Sequence, residues 1–97
     1  KLKEASYETL DQIIHALQNK PSKKVEIVGH TDSDGESIYN LKLSRARAIS
    51  VANYFVEKGI ARERISVNGK GEMEPLMNNS TEDGKRINRR VEMLFIE

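Results

Sequence analysis

The sequence predicts an α/β (α+β) two-layer sandwich with helices on one face of a small mixed sheet. Two observations carry that expectation. Apolar residues follow a helical period, then a strand period, in the order helix, strand, helix, strand, loop, strand. A helical stretch joins the first two strands, which makes them parallel neighbours. The chain has 97 residues, enough for one modest core, so a single domain over 1–97 is expected.

Tyr7, Leu10, Ile13, Ile14 and Leu17 recur at the spacing of an amphipathic helix from about Ser6 to Asn19. Ser6 is the candidate N-cap and Asn19-Lys20-Pro21 the stop. The β-rich run Val25-Glu26-Ile27-Val28 ends at Gly29, which predicts a strand from Lys24 to His30. A polar loop, Thr31 to Glu36, leaves its carboxyl end. From Ser37 to Lys58 the pattern Leu41, Ser44, Ala48, Val51, Ala52, Phe55 predicts a helix with a core face of small residues, and Gly59 stands where a left-handed cap belongs. Ile65, Val67 and an Asn68-Gly69-Lys70-Gly71 turn suggest a second strand. The connection Glu72 to Thr81 is long and polar, of a length that is often functional or packed in its own right. A helical turn at Glu82 to Asn88 precedes a last strand in which Val91, Met93 and Phe95 alternate with Glu92, Leu94 and Ile96. A two-layer unit that opens on a helix usually has a strand before it, so a strand upstream of this sequence is expected, leaving one sheet edge unpaired.

Composition narrows the function. Apolar residues make up 37% and charged ones 32%, outside the range of disordered chains. The net charge of +1 balances 16 basic against 15 acidic side chains, so no global field draws nucleic acid or an anionic membrane. Lys85, Arg86, Arg89 and Arg90 form a basic cluster, but aromatics are only 5% and no base-stacking platform is visible. There is no cysteine, which removes disulfides, thiolate metal sites and Cys nucleophiles. His30, Asp32, Asp34 and Glu36 lack the spacing of a calcium loop, and no metal or cofactor is expected. Asn68-Gly69-Lys70-Gly71 lacks the Lys-Ser/Thr pair of a phosphate loop. Met73, Met77 and Met93 read most simply as packing.

The chemistry concentrates between Gly29 and Val51. Asp32 lies just past a strand end, where α/β sheets offer ligands a crevice. Asn40, Leu43, Ser44 and Arg47 fall on one stripe of the following helix. A carboxylate and a guanidinium that face one cleft without collapsing together are complementary to a zwitterion. The spacing is equally met by a structural Asp32–Arg47 ion pair, or by Asp32 capping the helix, and these are the simpler readings of spacing alone.

Gly29-His30-Thr31-Asp32, then Asn40, Leu43-Ser44, Arg47-Ala48 and Val51, Gly59-Ile60, Arg64, Gly69, Gly71-Glu72, Pro75, Asn79, Thr81, Gly84 and Asn88-Arg89-Arg90-Val91-Glu92 together resemble the OmpA-like C-terminal domain family. The likeness is ordered and runs from Leu10 to Glu92. It implies a βαβαβ-type sandwich, here without its first strand, and non-covalent peptidoglycan binding in the Gram-negative periplasm. Such domains anchor outer-membrane proteins, lipoproteins or flagellar stators to the cell wall. It also implies that Asp32 and Arg47 grip the amino and carboxyl groups at the free end of diaminopimelate in the stem peptide. Thr31 and Asn40 match positions lining that pocket, and Arg89 one that closes it. The expected partner is therefore peptidoglycan, with membrane association only through a segment outside this sequence. Two other classes remain to be distinguished: a wall-degrading enzyme using Asp32 and Asp34 as a carboxylate pair, and a periplasmic protein-interaction module using the sheet edge or the Glu72 to Thr81 loop.

Overall fold

The computed structural model describes residues 4–96, with side chains from residue 10 onward. The elements in chain order are α1 (Glu4–Asn19), β1 (Lys24–His30), α2 (Ser37–Glu57), a 3-10 turn (Arg62–Arg64), β2 (Ile65–Gly71), α3 (Glu82–Asn88) and β3 (Val91–Ile96). The sheet order is β2-β1-β3. β1 and β2 are parallel across the α2 crossover, and β3 returns antiparallel to β1. The α/β sandwich with a small mixed sheet is thus the fold observed. The strand expected upstream of α1, and the Tyr7 side chain, lie outside the described residues.

One apolar cluster joins the layers. Leu10, Ile14 and Leu17 of α1 meet Val25 and Ile27 of β1, Ala48, Val51, Ala52 and Phe55 of α2, and Ile60. The register Val25↔Phe95, Ile27↔Met93, Gly29↔Val91 turns Val91 and Met93 of β3 to the same face, where both pack on the cluster. α2 stops in a Schellman arrangement: Ile60 N–H donates to Phe55 O and Gly59 N–H to Val56 O, each at 3.0 Å, with Gly59 at φ 99°. Arg64 closes the other corner, its guanidinium donating to the carbonyls of Leu17, Lys20 and Lys23 at 2.8–2.9 Å where α1 ends and the chain turns into β1.

Four sequence expectations need correction. Ser6 lies inside α1, because the helix begins at Glu4. Asn68–Gly71 is the second half of β2 and makes no turn: Gly69 pairs with Gly29, and the register then skips to His30↔Gly71. The glycines there answer a packing demand, since a Cβ on Gly69 would stand 2.6 Å from Arg45 N and one on Gly29 would overlap the Ser44 carbonyl. Leu41 is 42% exposed, and Asn40 takes the buried position beside it. Met73 and Met77 are exposed, so only Met93 packs as expected.

Candidate functional site

The loop after β1 is pinned on both sides before its side chains are considered. His30 N–H donates to Arg90 O and Thr31 N–H to Gly71 O, each at 2.8 Å. The Thr31 hydroxyl donates to Asp32 O at 2.8 Å. Asn40, buried on the first turn of α2, directs Nδ2 at three acceptors: Asp34 O at 2.8 Å, Glu72 Oε1 at 3.0 Å and Asp32 O at 3.3 Å. An amide nitrogen has only two hydrogens, so one of these bonds is shared. Thr31 and Asn40 therefore spend their polar atoms shaping the loop that carries Asp32.

Asp32 is 6% exposed. Its Oδ1 accepts from Asp34 N–H at 3.0 Å, and its Oδ2 is paired with Arg89 Nη1 at 2.5 Å. Burial pushes the Asp32 carboxyl up, but the Asp34 N–H, the Arg89 guanidinium and the charge of Lys85 outweigh it and hold it below the ordinary value. Lys85 bridges Asp34 Oδ1 at 3.2 Å and Glu82 Oε2 at 3.3 Å, and these carboxylates raise its own value. Arg47 is half-buried and, among the described residues, its guanidinium has neither a hydrogen-bond nor an ion-pair partner. It lies seven residues beyond Asn40 on the same stripe, and helical side chains lean toward the N-terminal end, here toward the Asp32 loop. The structural Asp32–Arg47 pair is thus not formed, since Asp32 is taken by Arg89. Nor does Asp32 cap α2, whose N-cap is Glu36 without a side-chain bond.

The basic residues between 85 and 90 sort themselves into pairs. Lys85 takes Asp34 and Glu82, Arg86 takes Asp83, Arg89 takes Asp32 and Arg90 takes Glu92, so the basic cluster is neutralised locally. His30 faces Glu92, Asp32 faces Arg89 and Asp34 faces Lys85, so these three acid and imidazole groups diverge. Residues quoted from the sequence without a role at the site are Glu72, Lys85 and above all Asn88. The buried Asn88 accepts from Leu76 N–H and Met77 N–H at 2.8 and 3.0 Å, and donates to Met77 O and Asn79 Oδ1 at 2.9 and 2.8 Å. It thereby satisfies its whole hydrogen-bonding capacity and folds the 72–81 connection against α3. No local pattern marks an asparagine for that role, because its partners, three backbone groups and the Asn79 side chain, lie about ten residues away.

The OmpA family pattern matches residues 1–89. The chain belongs to the OmpA family. It is 42% identical over 95 residues to outer membrane protein A of Bordetella avium, covering 98% of this chain and 49% of that protein. It is 39% identical over 90 residues to the peptidoglycan-binding protein ArfA of Mycobacterium tuberculosis, covering 93% and 28%. Its fold is that of the peptidoglycan-associated lipoprotein from Burkholderia pseudomallei, whose crystal structure superposes with a TM-score of 0.95 at 25% identity over 99% of this chain and 81% of that one. This OmpA-family chain spans less than half the length of the two relatives matched in sequence.

Proposed function

We propose that this chain is a non-catalytic module that binds peptidoglycan through the free zwitterionic end of diaminopimelate in the stem peptide. Asp32 takes the ammonium, Arg47 takes the carboxylate through a two-pronged contact, Thr31 and Asn40 hold the loop in shape, and Arg89 closes the site beside Asp32. The observation that carries this reading is the half-buried Arg47, whose guanidinium has no partner among the described residues and which lies on the helix stripe that also ties down the Asp32 loop. A guanidinium left without an acceptor is poised for one from outside. Each Asp32 oxygen accepts one protein bond and retains a second lone-pair site for an ammonium hydrogen. The names of the relatives, an outer membrane protein, a peptidoglycan-binding protein and a peptidoglycan-associated lipoprotein, support peptidoglycan as the partner and a periplasmic location at the wall. In the full-length protein, a segment outside this sequence would tie the module to the outer membrane.

Charge-assisted bonds of this kind contribute about 1.5–3 kcal/mol each, so removing either charge should weaken binding about 10- to 100-fold. The test is retention on diaminopimelate-type sacculi. Asp32→Ala and Arg47→Ala are expected to lose retention while Arg45→Ala, on the exposed side of α2, keeps it, and no soluble fragments should be released from the wall. Undiminished retention of both site variants would overturn the reading.

A further inference from the structure

His30 is 1% exposed, and its Nδ1 is, among the described residues, the one buried side-chain polar atom without a hydrogen-bond partner. Its Nε2 stands 3.0 Å from Glu92 Oε1. An ionised carboxylate only accepts, so the Glu92 contact requires a proton on Nε2, and Nδ1 is the ring atom that finds no partner. An aliphatic side chain would fill this interior position without stranding a polar atom, so the contact to Glu92 is what the imidazole contributes. From Glu92 the connection continues. Glu92 Oε2 accepts from Arg90 Nε at 2.9 Å, and the Arg90 guanidinium also donates to Glu74 O at 3.0 Å and Asn88 O at 3.5 Å. The backbone of the same segment is held by His30 N–H on Arg90 O at 2.8 Å. The residue between these anchors is Arg89, whose guanidinium reaches Asp32.

We infer that His30 is a positioning residue for the ligand's ammonium site: through Glu92 and Arg90 it fixes Arg89, and thereby how much of the Asp32 carboxylate is left for an incoming cation. The inference rests on the proposed ligand site at Asp32 and Arg47, and reaches three residues to which that reading gives no part. His30 touches no ligand itself. Its effect is carried by one side chain and is lost when that side chain is removed.

The experiment measures affinity for meso-diaminopimelate and for sacculi in His30→Leu, His30→Gln, Arg89→Ala and the His30→Leu/Arg89→Ala double variant, with urea unfolding of each in parallel. The Gln amide nitrogen reaches the place of Nε2 and keeps the donor to Glu92, so His30→Gln should stay within about threefold of the parent while His30→Leu falls about tenfold. In the Arg89→Ala background, His30→Leu should cause no further loss, because the coupling runs through Arg89. Should His30→Leu not fold, Glu92→Gln takes its place, with the same expected loss and the same dependence on Arg89. Equal losses for Leu and Gln, or an undiminished loss in the Arg89→Ala background, would reduce His30 to a packing residue and overturn the inference. Parent-like binding by His30→Leu would overturn it too. If Asp32→Ala and Arg47→Ala both bind like the parent, the underlying site reading fails; if they do not bind while His30→Leu does, the relay alone fails.

Discussion

Asp32 holds a negative charge in a nearly closed position because its surroundings answer burial with three positive or hydrogen-donating groups: the Asp34 N–H, Arg89 and Lys85. Its folded value lies below the ordinary 3.8, so the charge is complete above that value and disappears only as pH falls through the depressed one. Glu92 is lowered likewise, first by Arg90 and further by His30, against the opposing pull of burial. Ligand retention should accordingly be flat from about pH 8 to about pH 5 and decline only below about pH 4, the window of a depressed carboxylate. Retention on sacculi measured across that range checks the expectation, and a midpoint near neutrality would point to a different titrating group. At this scale the sequence displayed the charges without their pairings. Asp32 and Arg47 were legible as opposite charges at a strand end and on a helix stripe. The partner Asp32 actually takes, Arg89, is 57 residues away, and no periodicity announces a tertiary ion pair at that separation. The resemblance alone singled out Arg89.

The helix α2 sits on the sheet at a separation only glycine permits. Ser44 and Arg45 lie against Gly29 and Gly69, and the Ser44 hydroxyl, which donates to Leu41 O at 2.8 Å, accepts from Gly71 N–H at 2.9 Å. That contact fixes the height of the stripe bearing Asn40 and Arg47 over the loop bearing Asp32. Gly29→Ala should therefore cost about 3 kcal/mol or more, because the new methyl meets a helix carbonyl rather than a movable side-chain tip. Gly35→Ala, at φ 83° with open space around it, should cost only about 1 kcal/mol from backbone strain. Urea midpoints of the two variants provide the comparison, and equal losses would mean that the close approach is not what these glycines secure. Periodicity made α1, β1, α2 and β3 readable, since each has an apolar face against the common cluster. It misread Asn68–Gly71, because Asn-Gly is also the commonest hairpin signal and the demand for a missing Cβ arises only when a helix 24 residues back in the chain lies across the strand. It misread Leu41 for Asn40 because hydropathy gives no credit to a polar residue whose amide is consumed by a loop.

In the whole molecule, three segments distant in sequence converge at the carboxyl end of β1: the 31–36 loop, the first half of α2, and the junction of α3 with β3. The net charge of +1 and the local pairing of the basic cluster leave recognition to this convergence rather than to a long-range field. One site made of a few charge-assisted contacts binds modestly, and many copies facing a single polymer would hold through effective concentration. The chain order and the two-layer architecture were legible because they follow from periodicity and crossover rules. The convergence itself was not, because it depends on Asn88, Glu72 and Lys85, whose partners are set by the fold. In the proposed function, Asp32 and Arg47 form two halves of one zwitterion site. The decisive experiment for that pairing is titration of the 15N-labelled protein with meso-diaminopimelate. Saturable shifts are expected, confined to Asp32, Asn40, Arg47, Arg89 and their immediate neighbours, including the Arg47 side-chain Nε–H. Absence of shifts at millimolar ligand, or shifts centred on the exposed end of β3 at Leu94, Phe95 and Ile96, would contradict it.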